Sequence, residues 1–438
     1  MKILLVGNGG REHAIAWKIF NSPSFDPSCD RIFCTYPNPG IAEICEKTEI
    51  KPDNINGLFD FSKSNNIDFT VVGPEIPLSL GITDKFVMNG LNIFGPSKAA
   101  AELETSKIFA KVFMTANGIP TAKYKVFDES NYPSATEFIN TLCYPAVIKA
   151  DGLAAGKGVY IAQDKKDAQF FINEITKAKI FGSSGEKFII EEFLEGFELS
   201  VFAITDGRDY VILPTAQDHK KIGEGDTGKN TGGMGSYSPA DSLIDEKTFM
   251  KIRSKIIEPT IVGMAKSGRL YKGCLYCGLI LIKNQEGYEP FVIEYNCRFG
   301  DPETQSVLPL IKSDFLQLLI ASAEEKISGY KLATENLFAG CVVAASGGYP
   351  DNFETGKVIK GLEIETGNSV IFHAGTKFSE DGKTVLSSGG RVLNITGLSE
   401  LSINDALKNA YNTLKHINFD KMYYRRDIGY KFTVTTSK

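Results

Sequence analysis

Residues 2–13 read KILLVGNGGREH, an apolar run, a glycine turn and the start of a helical pattern. Lys2 to Val6 reads as a buried strand and Glu12 to Phe20 as an amphipathic helix. The rhythm repeats outward, with strands expected at Arg31 to Thr35, Phe69 to Val72 and Leu91 to Phe94 and helical stretches between them. Alternating strands and helices of this kind predict a parallel, doubly wound sheet. A glycine turn that feeds a helix N-terminus offers free N–H groups to an anion. The nicotinamide-dinucleotide fingerprint fails here, because Glu12 stands where its last glycine belongs. The second strand, RIFCT, also lacks the acidic residue that would hold an adenosine ribose. Two readings of the turn stand: a plain tight turn, or a seat for a phosphate-bearing small molecule.

The 438 residues amount to about three domains at roughly 150 residues each. Hydrophobic residues make up 42% and charged residues 23%, which excludes general disorder. Net charge is −5 with no basic face, so neither nucleic acid nor a membrane surface is an expected partner. No apolar run approaches the ~20 residues of a membrane span. Cys274 and Cys277 fall in a strand pattern, where positions three apart face opposite ways, so they read as core thiols rather than half a zinc site. A soluble, cytoplasmic protein is expected. Glycine is the departure: 42 residues, above the usual ~7%.

After Phe94-Gly95-Pro96 the pattern predicts one long helix over Ala99 to Asn117, then strands and helices up to Glu191. Gln217 to Ser238 is polar and glycine-rich with no periodicity, which predicts a long functional loop. A helix over Asp245 to Lys266, two strands at Gly273 to Lys283 and Glu289 to Tyr295, and a last strand near Tyr430 complete the outline.

Four further clusters carry chemistry. Gly152 to Gly158, containing Gly156 and Lys157, joins strand to strand and is no Walker A loop, yet its small residues would let backbone close over phosphates. Lys149 in the apolar strand AVIKA, and Lys107 in the preceding helix, would set ammonium groups on the same phosphates. Glu191, Glu192, Phe193 and Leu194 end a strand whose backbone could meet an adenine edge, with Glu198 for ribose hydroxyls. Glu294 and Asn296 share one strand face and offer two oxygens to Mg²⁺; Arg298, two further on and expected on the same face, could fork onto a phosphate or carboxylate. In the long loop, Asp218-His219-Lys220 adds donors and a base, and His219 reads equally as a structural or a catalytic histidine.

Together these segments resemble the glycinamide ribonucleotide synthetase (phosphoribosylamine–glycine ligase) family of ATP-grasp enzymes. The matching stretches are GNGGREHA (7–14), KADGLAAGKGV (149–159), QDHK (217–220), the DTG-NTGGMG-YSPA pattern (226–240) and, most specific, RFGDPETQ (298–305). Lys229 departs from the pattern, where proline is expected, and Leu275 to Ile282 lacks a carboxylate that many ATP-grasp relatives use for metal. The resemblance implies an α/β architecture: an N-terminal Rossmann-like domain (1–103), an α+β ATP-grasp domain (104–330, lid about 122–196) and a C-terminal mixed α/β domain (331–438). It implies that ATP, glycine and 5-phosphoribosylamine give ADP, phosphate and glycinamide ribonucleotide through glycyl phosphate, with Mg²⁺ or alternatively Mn²⁺.

The resemblance further implies that Lys107, Lys149, Gly152, Gly156, Lys157, Gly158, Glu191, Glu192, Phe193, Leu194 and Glu198 bind ATP, and that Glu294 and Asn296 bind metal. Gly9, Gly10, Asp218, His219, Lys220, Arg298 and Asp301 fall to the other substrates, with Arg298, Lys149 and Asp218 as the catalytic candidates. A monomer or weak dimer is expected. The competing classes are a nicotinamide oxidoreductase, a non-catalytic nucleotide-binding regulator and another ATP-dependent ligase or carboxylase.

Overall fold

A computed structural model describes residues 1–128, 130–153, 158–180, 182–241 and 244–432. The opening rhythm folds as five strands: β1 (Lys2–Val6), β2 (Arg31–Thr35), β3 (Glu46–Thr48), β4 (Phe69–Val72) and β5 (Ile93–Phe94). They lie in the order β3-β2-β1-β4-β5, all parallel. Ile3 to Val6 are fully buried, as a central parallel strand covered on both faces requires. The order reverses between β1 and β4, where a ligand crevice belongs.

Helix α1 (Gly10–Phe20) starts at that crevice. Glu12 folds back so that its Oε2 accepts the Gly9 N–H at 2.6 Å. A Cβ on Gly7 would stand 2.7 Å from Glu12 Cγ, and one on Gly73 only 2.2 Å from Glu12 Oε1. The residue that broke the dinucleotide fingerprint therefore fills the space above both turns. The Gly9 N–H is taken by the chain's own carboxyl, which burial pushes above its usual range.

Strands β6 (Tyr124–Asp128), β7 (Ala146–Ala150), β8 (Val159–Ala162) and β9 (Lys187–Glu192) form a separate antiparallel sheet, order β6-β9-β7-β8. Its core is its own: Phe127, Ile148, Phe171, Ile172 and Phe188 cluster without residues from the rest of the chain. A third sheet, order β11-β10-β16-β17, consists of β10 (Phe197–Thr205), β11 (Tyr210–Ile212), β16 (Gly273–Asn284) and β17 (Gly287–Asn296). Cys274 and Cys277 on β16 are buried in two different apolar clusters, one on each face, and all eight thiols are free. Among the described residues no helix is long and apolar enough to cross a membrane.

The stretch 217–238 differs from the expected loop. It contains β12 (Gln217–Asp218), the hairpin β13 (Lys221–Gly223) with β14 (Thr227–Asn230), and β15 (Gly235–Ser238). β12 and β15 continue a sheet in the order β12-β15-β18-β22-β19, made with β18 (Phe338–Ser346), β19 (Ser369–His373) and β22 (Arg391–Ser399). A ribbon of β20 (Thr376–Phe378) and β21 (Val385–Ser387) flanks it. β13 and β14 pair locally, but β15 finds its sheet partner β18 more than a hundred residues away and β12 pairs in turn with β15, so no local period announces these two strands.

Three other expectations are corrected. The helix over Ala99 to Asn117 is two helices, Glu102–Thr105 and Lys107–Ala116, parted at Ser106. Ser106 is extended and its Oγ accepts the Phe109 N–H at 3.0 Å, a cap that starts a new helix with Lys107 as its first residue. The helix over Asp245 to Lys266 carries a π-turn at Arg253–Ile257 ahead of Pro259, which has no N–H to give. Tyr430 lies in a closing helical turn, and the last strand is β23 (Met422–Tyr423).

The N-terminal and C-terminal sheets meet at two buried histidines. His13 Nδ1 accepts the His373 N–H at 2.8 Å, and Asn38 Nδ2 donates to the carbonyls of Asn8 and His373, both at 2.9 Å. Burial, aided by the neighbouring ring, lowers His13 to about 3, and burial lowers His373 to about 4. Both rings stay neutral in the folded chain but protonate near 6.5 when unfolded, so the unfolded state binds more protons between those limits. Stability therefore falls as pH drops below about 6.5, by roughly 1.4 kcal/mol per pH unit for each ring. Urea midpoints measured from pH 7 to pH 4.5 should fall less steeply in His13→Gln than in the parent protein.

Candidate active site

The charged cluster between the lid sheet and the body is built on Glu191. It sits on β9, 3% exposed, with Lys111 Nζ 3.0 Å from Oε2 and Lys149 Nζ 3.1 Å from Oε1. Lys149 also donates to the carbonyl of Ile293 at 3.0 Å. That carbonyl lies at an irregularity in β17: Glu294 pairs with Gly278 and Val292 with Leu279, so Ile293 is the extra residue of a bulge. Lys107 donates to the Gly152 carbonyl at 2.8 Å. Its ammonium pKa is lowered by burial and by the charge of Lys149. Lys111 is lowered to about 8, with burial opposing the pull of Glu191. Asp151 accepts from the Ile108 N–H at 3.1 Å and from Ser106 at 3.2 Å, which ties the lid strand to the N-terminus of the Lys107–Ala116 helix.

Glu294 and Asn296 follow the bulge. Lys220 Nζ is 3.2 Å from Glu294 Oε1, and this cation holds the carboxyl down to about 2 against the effect of burial. The Asn296 amide is satisfied when its nitrogen donates to Glu104 Oε1 at 3.1 Å, which leaves its oxygen as an acceptor on the other side. An ionised carboxylate and an amide oxygen fit a hard cation such as Mg²⁺. Among the described residues no group of three or more His, Cys, Asp or Glu has metal-site geometry, so such an ion would complete its shell with phosphate and water oxygens.

Arg298 lies beyond the end of β17 and does not share the strand face proposed for it. Its Nη2 is 3.0 Å from Glu104 Oε1 and its Nε 3.3 Å from Glu75 Oε2, while Nη1 donates to the Phe299 carbonyl. The fork is thus closed on two of the chain's carboxylates, and these raise its pKa despite burial. Glu104, shared by Asn296 and Arg298, still keeps Arg298 beside Asn296.

A cleft of about 380 Å³ opens between the first glycine turn and the C-terminal sheet. Gly9, Gly10 and Asp301 line it, together with Tyr349, Thr376, Ser388 and Arg391. Arg391 Nη1 is 3.3 Å from Asp301 Oδ1. Asp218 and Lys220 come from the rim of the C-terminal sheet. Asp218 is 6% exposed, and burial pushes its carboxyl up to about 8 even though Lys220 pulls the other way. His219 is fully buried, with Nε2 accepting the Gly429 N–H at 3.1 Å; of its two readings, the geometry is that of a structural residue.

Gly156 and Lys157 lie outside the described residues. Phe193 and Leu194 stand in the short linker after β9, and Glu198 opens β10. The sequence reading assigned Glu191 a backbone role; its side chain is the hub of a buried ion triad instead. It passed over Lys111, Glu75, Glu104 and Arg391. Lys111 was findable as a cation on the apolar face of KIFAKVFMTA, whereas Arg391 is separated by 90 residues from its partner Asp301 and had no local signal.

Residues 1–104 match the family description "Phosphoribosylglycinamide synthetase, N domain", residues 105–304 its ATP-grasp (A) domain and residues 339–431 its C domain. The chain is 47% identical to a phosphoribosylamine–glycine ligase of Caldanaerobacter subterraneus, over 98% of this chain and 99% of that one. Identity to the ligase of the same name from Escherichia coli K12 is 42%, over 98% of each. A solved phosphoribosylamine–glycine ligase from Thermotoga maritima superposes with a TM-score of 0.83 at 32% identity, covering 98% of this chain and 100% of that one. A biotin carboxylase domain from Hydrogenobacter thermophilus shares the fold, with a TM-score of 0.70 at 14% identity.

Removing the shared carboxylate while leaving both cations buried should cost about 3–5 kcal/mol. Glu191→Gln is expected to lower the unfolding midpoint of the lid region, measured by hydrogen exchange of β7 and β9, and to weaken ATP binding with it.

Proposed function

The chain belongs to the phosphoribosylglycinamide synthetase family, and from that membership we propose how its clusters divide the reaction. The activity is the ATP-dependent ligation of glycine to 5-phosphoribosylamine, a step of purine biosynthesis. ATP lies between the lid sheet and the body, with Lys107 and Lys149 on its phosphates and the Phe193–Leu194 linker against its base. Glu198 faces the ribose. Glu294 and Asn296 would hold Mg²⁺, which would supply charge neutralisation for the transferring phosphoryl group. The observation that carries this reading is the bulge at Ile293. One short segment gives its carbonyl to the lid's Lys149 and, at the next residue, presents the carboxylate of Glu294.

Glycine's carboxylate is already an anion and attacks the γ-phosphorus without a base, so the site has to cancel charge rather than move a proton. The resulting glycyl phosphate is open to hydrolysis, which gives the lid a reason to close over it. The amine of phosphoribosylamine then attacks the acyl carbon, the C–O bond to phosphate breaks, and the nitrogen sheds a proton. Asp218 accepts that proton in its ionised form, which a carboxyl raised to about 8 populates increasingly as pH rises above neutral. Arg298, steadied by Glu75 and Glu104, orients the groups around Asn296. The cleft of Gly9, Gly10, Asp301 and Arg391 receives the sugar phosphate, with Thr376 and Ser388 as hydroxyl donors. With eight free thiols, we place the enzyme in a reducing cytoplasm.

ADP release should require Mg²⁺, glycine and phosphoribosylamine together; equal turnover with bicarbonate in place of glycine would move the assignment to the carboxylases that share the fold. Glu294→Ala should abolish turnover while leaving the melting temperature within a few degrees, and near-normal activity would remove the metal assignment. Arg391→Ala loses a charge-assisted contact of about 1.5–3 kcal/mol, an expected rise of roughly 10–100-fold in KM for phosphoribosylamine. An unchanged KM would place the sugar phosphate elsewhere.

A further inference from the structure

Arg425 is the largest fully buried side chain among the described residues, and it lies outside every cluster assigned above. Its Nε and Nη2 fork onto the two oxygens of Asp427, each at 2.8 Å. Its Nη1 donates to Asp226 Oδ1 at 2.8 Å and to the carbonyl of Lys221 at 3.0 Å. Asp226 and Lys221 belong to the β13–β14 hairpin, some two hundred residues earlier in the chain. A two-stranded hairpin is marginal by itself, and most of its residues from Glu224 to Lys229 are exposed, so what it rests on decides where it sits. It rests on the C-terminal segment: the Gly225 N–H donates to Asp427 at 2.7 Å and the Tyr423 hydroxyl to the Ile222 carbonyl at 2.7 Å. Immediately before the hairpin, His219 takes the Gly429 N–H.

Lys221 is bonded to Lys220, whose ammonium reaches Glu294, and Lys220 is two residues from Asp218. We propose that Arg425 is a positioning residue for the ligation reaction: it clamps the hairpin to the C-terminal segment and so sets the register at which Asp218 and Lys220 enter the site. The C-terminal segment thereby takes part in glycine and phosphoribosylamine use without touching either substrate. A merely structural ion pair would lower stability and affect all substrates alike. A clamp acting through Lys220 should spare metal-free binding of ATP, whose proposed direct contacts lie in 107–198, and should lose its effect once Lys220 is gone.

The test is a double-mutant cycle on the full chain. Arg425→Met should lower kcat/KM for phosphoribosylamine by about 30-fold or more, with the metal-free Kd of a non-hydrolysable ATP analogue within about twofold of the parent value. In a Lys220→Met background the added effect of Arg425→Met should shrink to less than about threefold. Arg425→Lys keeps the charge but cannot fork, and should recover only part of the loss. A folded Arg425→Met protein with near-parental kcat/KM, an equal loss of ATP-analogue affinity, or an undiminished effect in the Lys220→Met background would each overturn the proposal. Should Arg425→Met not fold, Tyr423→Phe removes one exposed bond of the same clamp and enters the same cycle, where additivity with Lys220→Met counts against the clamp. The inference rests on Asp218 and Lys220 serving the substrates. Full activity of Lys220→Met alone would remove that premise and is read separately from the Arg425 arms.

Discussion

Glu191 is a carboxylate almost sealed from water, with an ammonium group on either side. Two cations and one anion in a low-dielectric seam are stable only while all three stay in place, since each loses its hydration to be there. Lys111 comes from a helix of the body, Lys149 and Glu191 from the lid sheet, and Lys149 continues to a carbonyl of the strand that bears Glu294. The sheet of β6 to β9 has an apolar core of its own. This triad is what registers it against the site. Two ammonium groups against one carboxylate leave the seam with an excess of positive charge, which suits the polyphosphate proposed to bind there.

The same economy of charge runs through the site. Arg298 is held by Glu75 and Glu104, Glu294 by Lys220, and Arg391 by Asp301. Each pair balances its own charge within the protein, and in the proposed reaction a substrate anion or a metal ion would take the place of one protein partner. This explains how a chain of net charge −5 handles two phosphorylated substrates with no basic surface. Glu12 belongs to the same logic. A carboxyl folded over the first glycine turn takes a backbone donor for itself, so the turn does not offer that N–H to a dinucleotide.

The C-terminal sheet is completed by strands from the middle of the chain, so the third domain is not a separable appendage. β12 and β15 bring Asp218 and Lys220 to its edge, the hairpin between them leans on Arg425, and His13 meets His373 across the other side. The cleft exists only when all three parts of the chain are assembled around it.

The parallel sheet, the glycine turn after β1, the placement of Glu294 and Asn296 on one strand and the core position of Cys274 and Cys277 were legible in the sequence, because each depends on periodicity or on residues within a few positions of one another. The family was legible for the same reason: RFGDPETQ is contiguous. Strands β12 and β15, the burial of Glu191 against Lys111 and Lys149, the closure of Arg298 on Glu75 and Glu104, and the place of Arg391 beside Asp301 were not. Each joins residues tens to hundreds of positions apart, so no local pattern encodes the contact. Chain-local chemistry determined which groups this protein has to work with. Only the tertiary structure decided which of them are paired, buried or left facing the cleft, because desolvation and charge pairing act through space and not along the sequence.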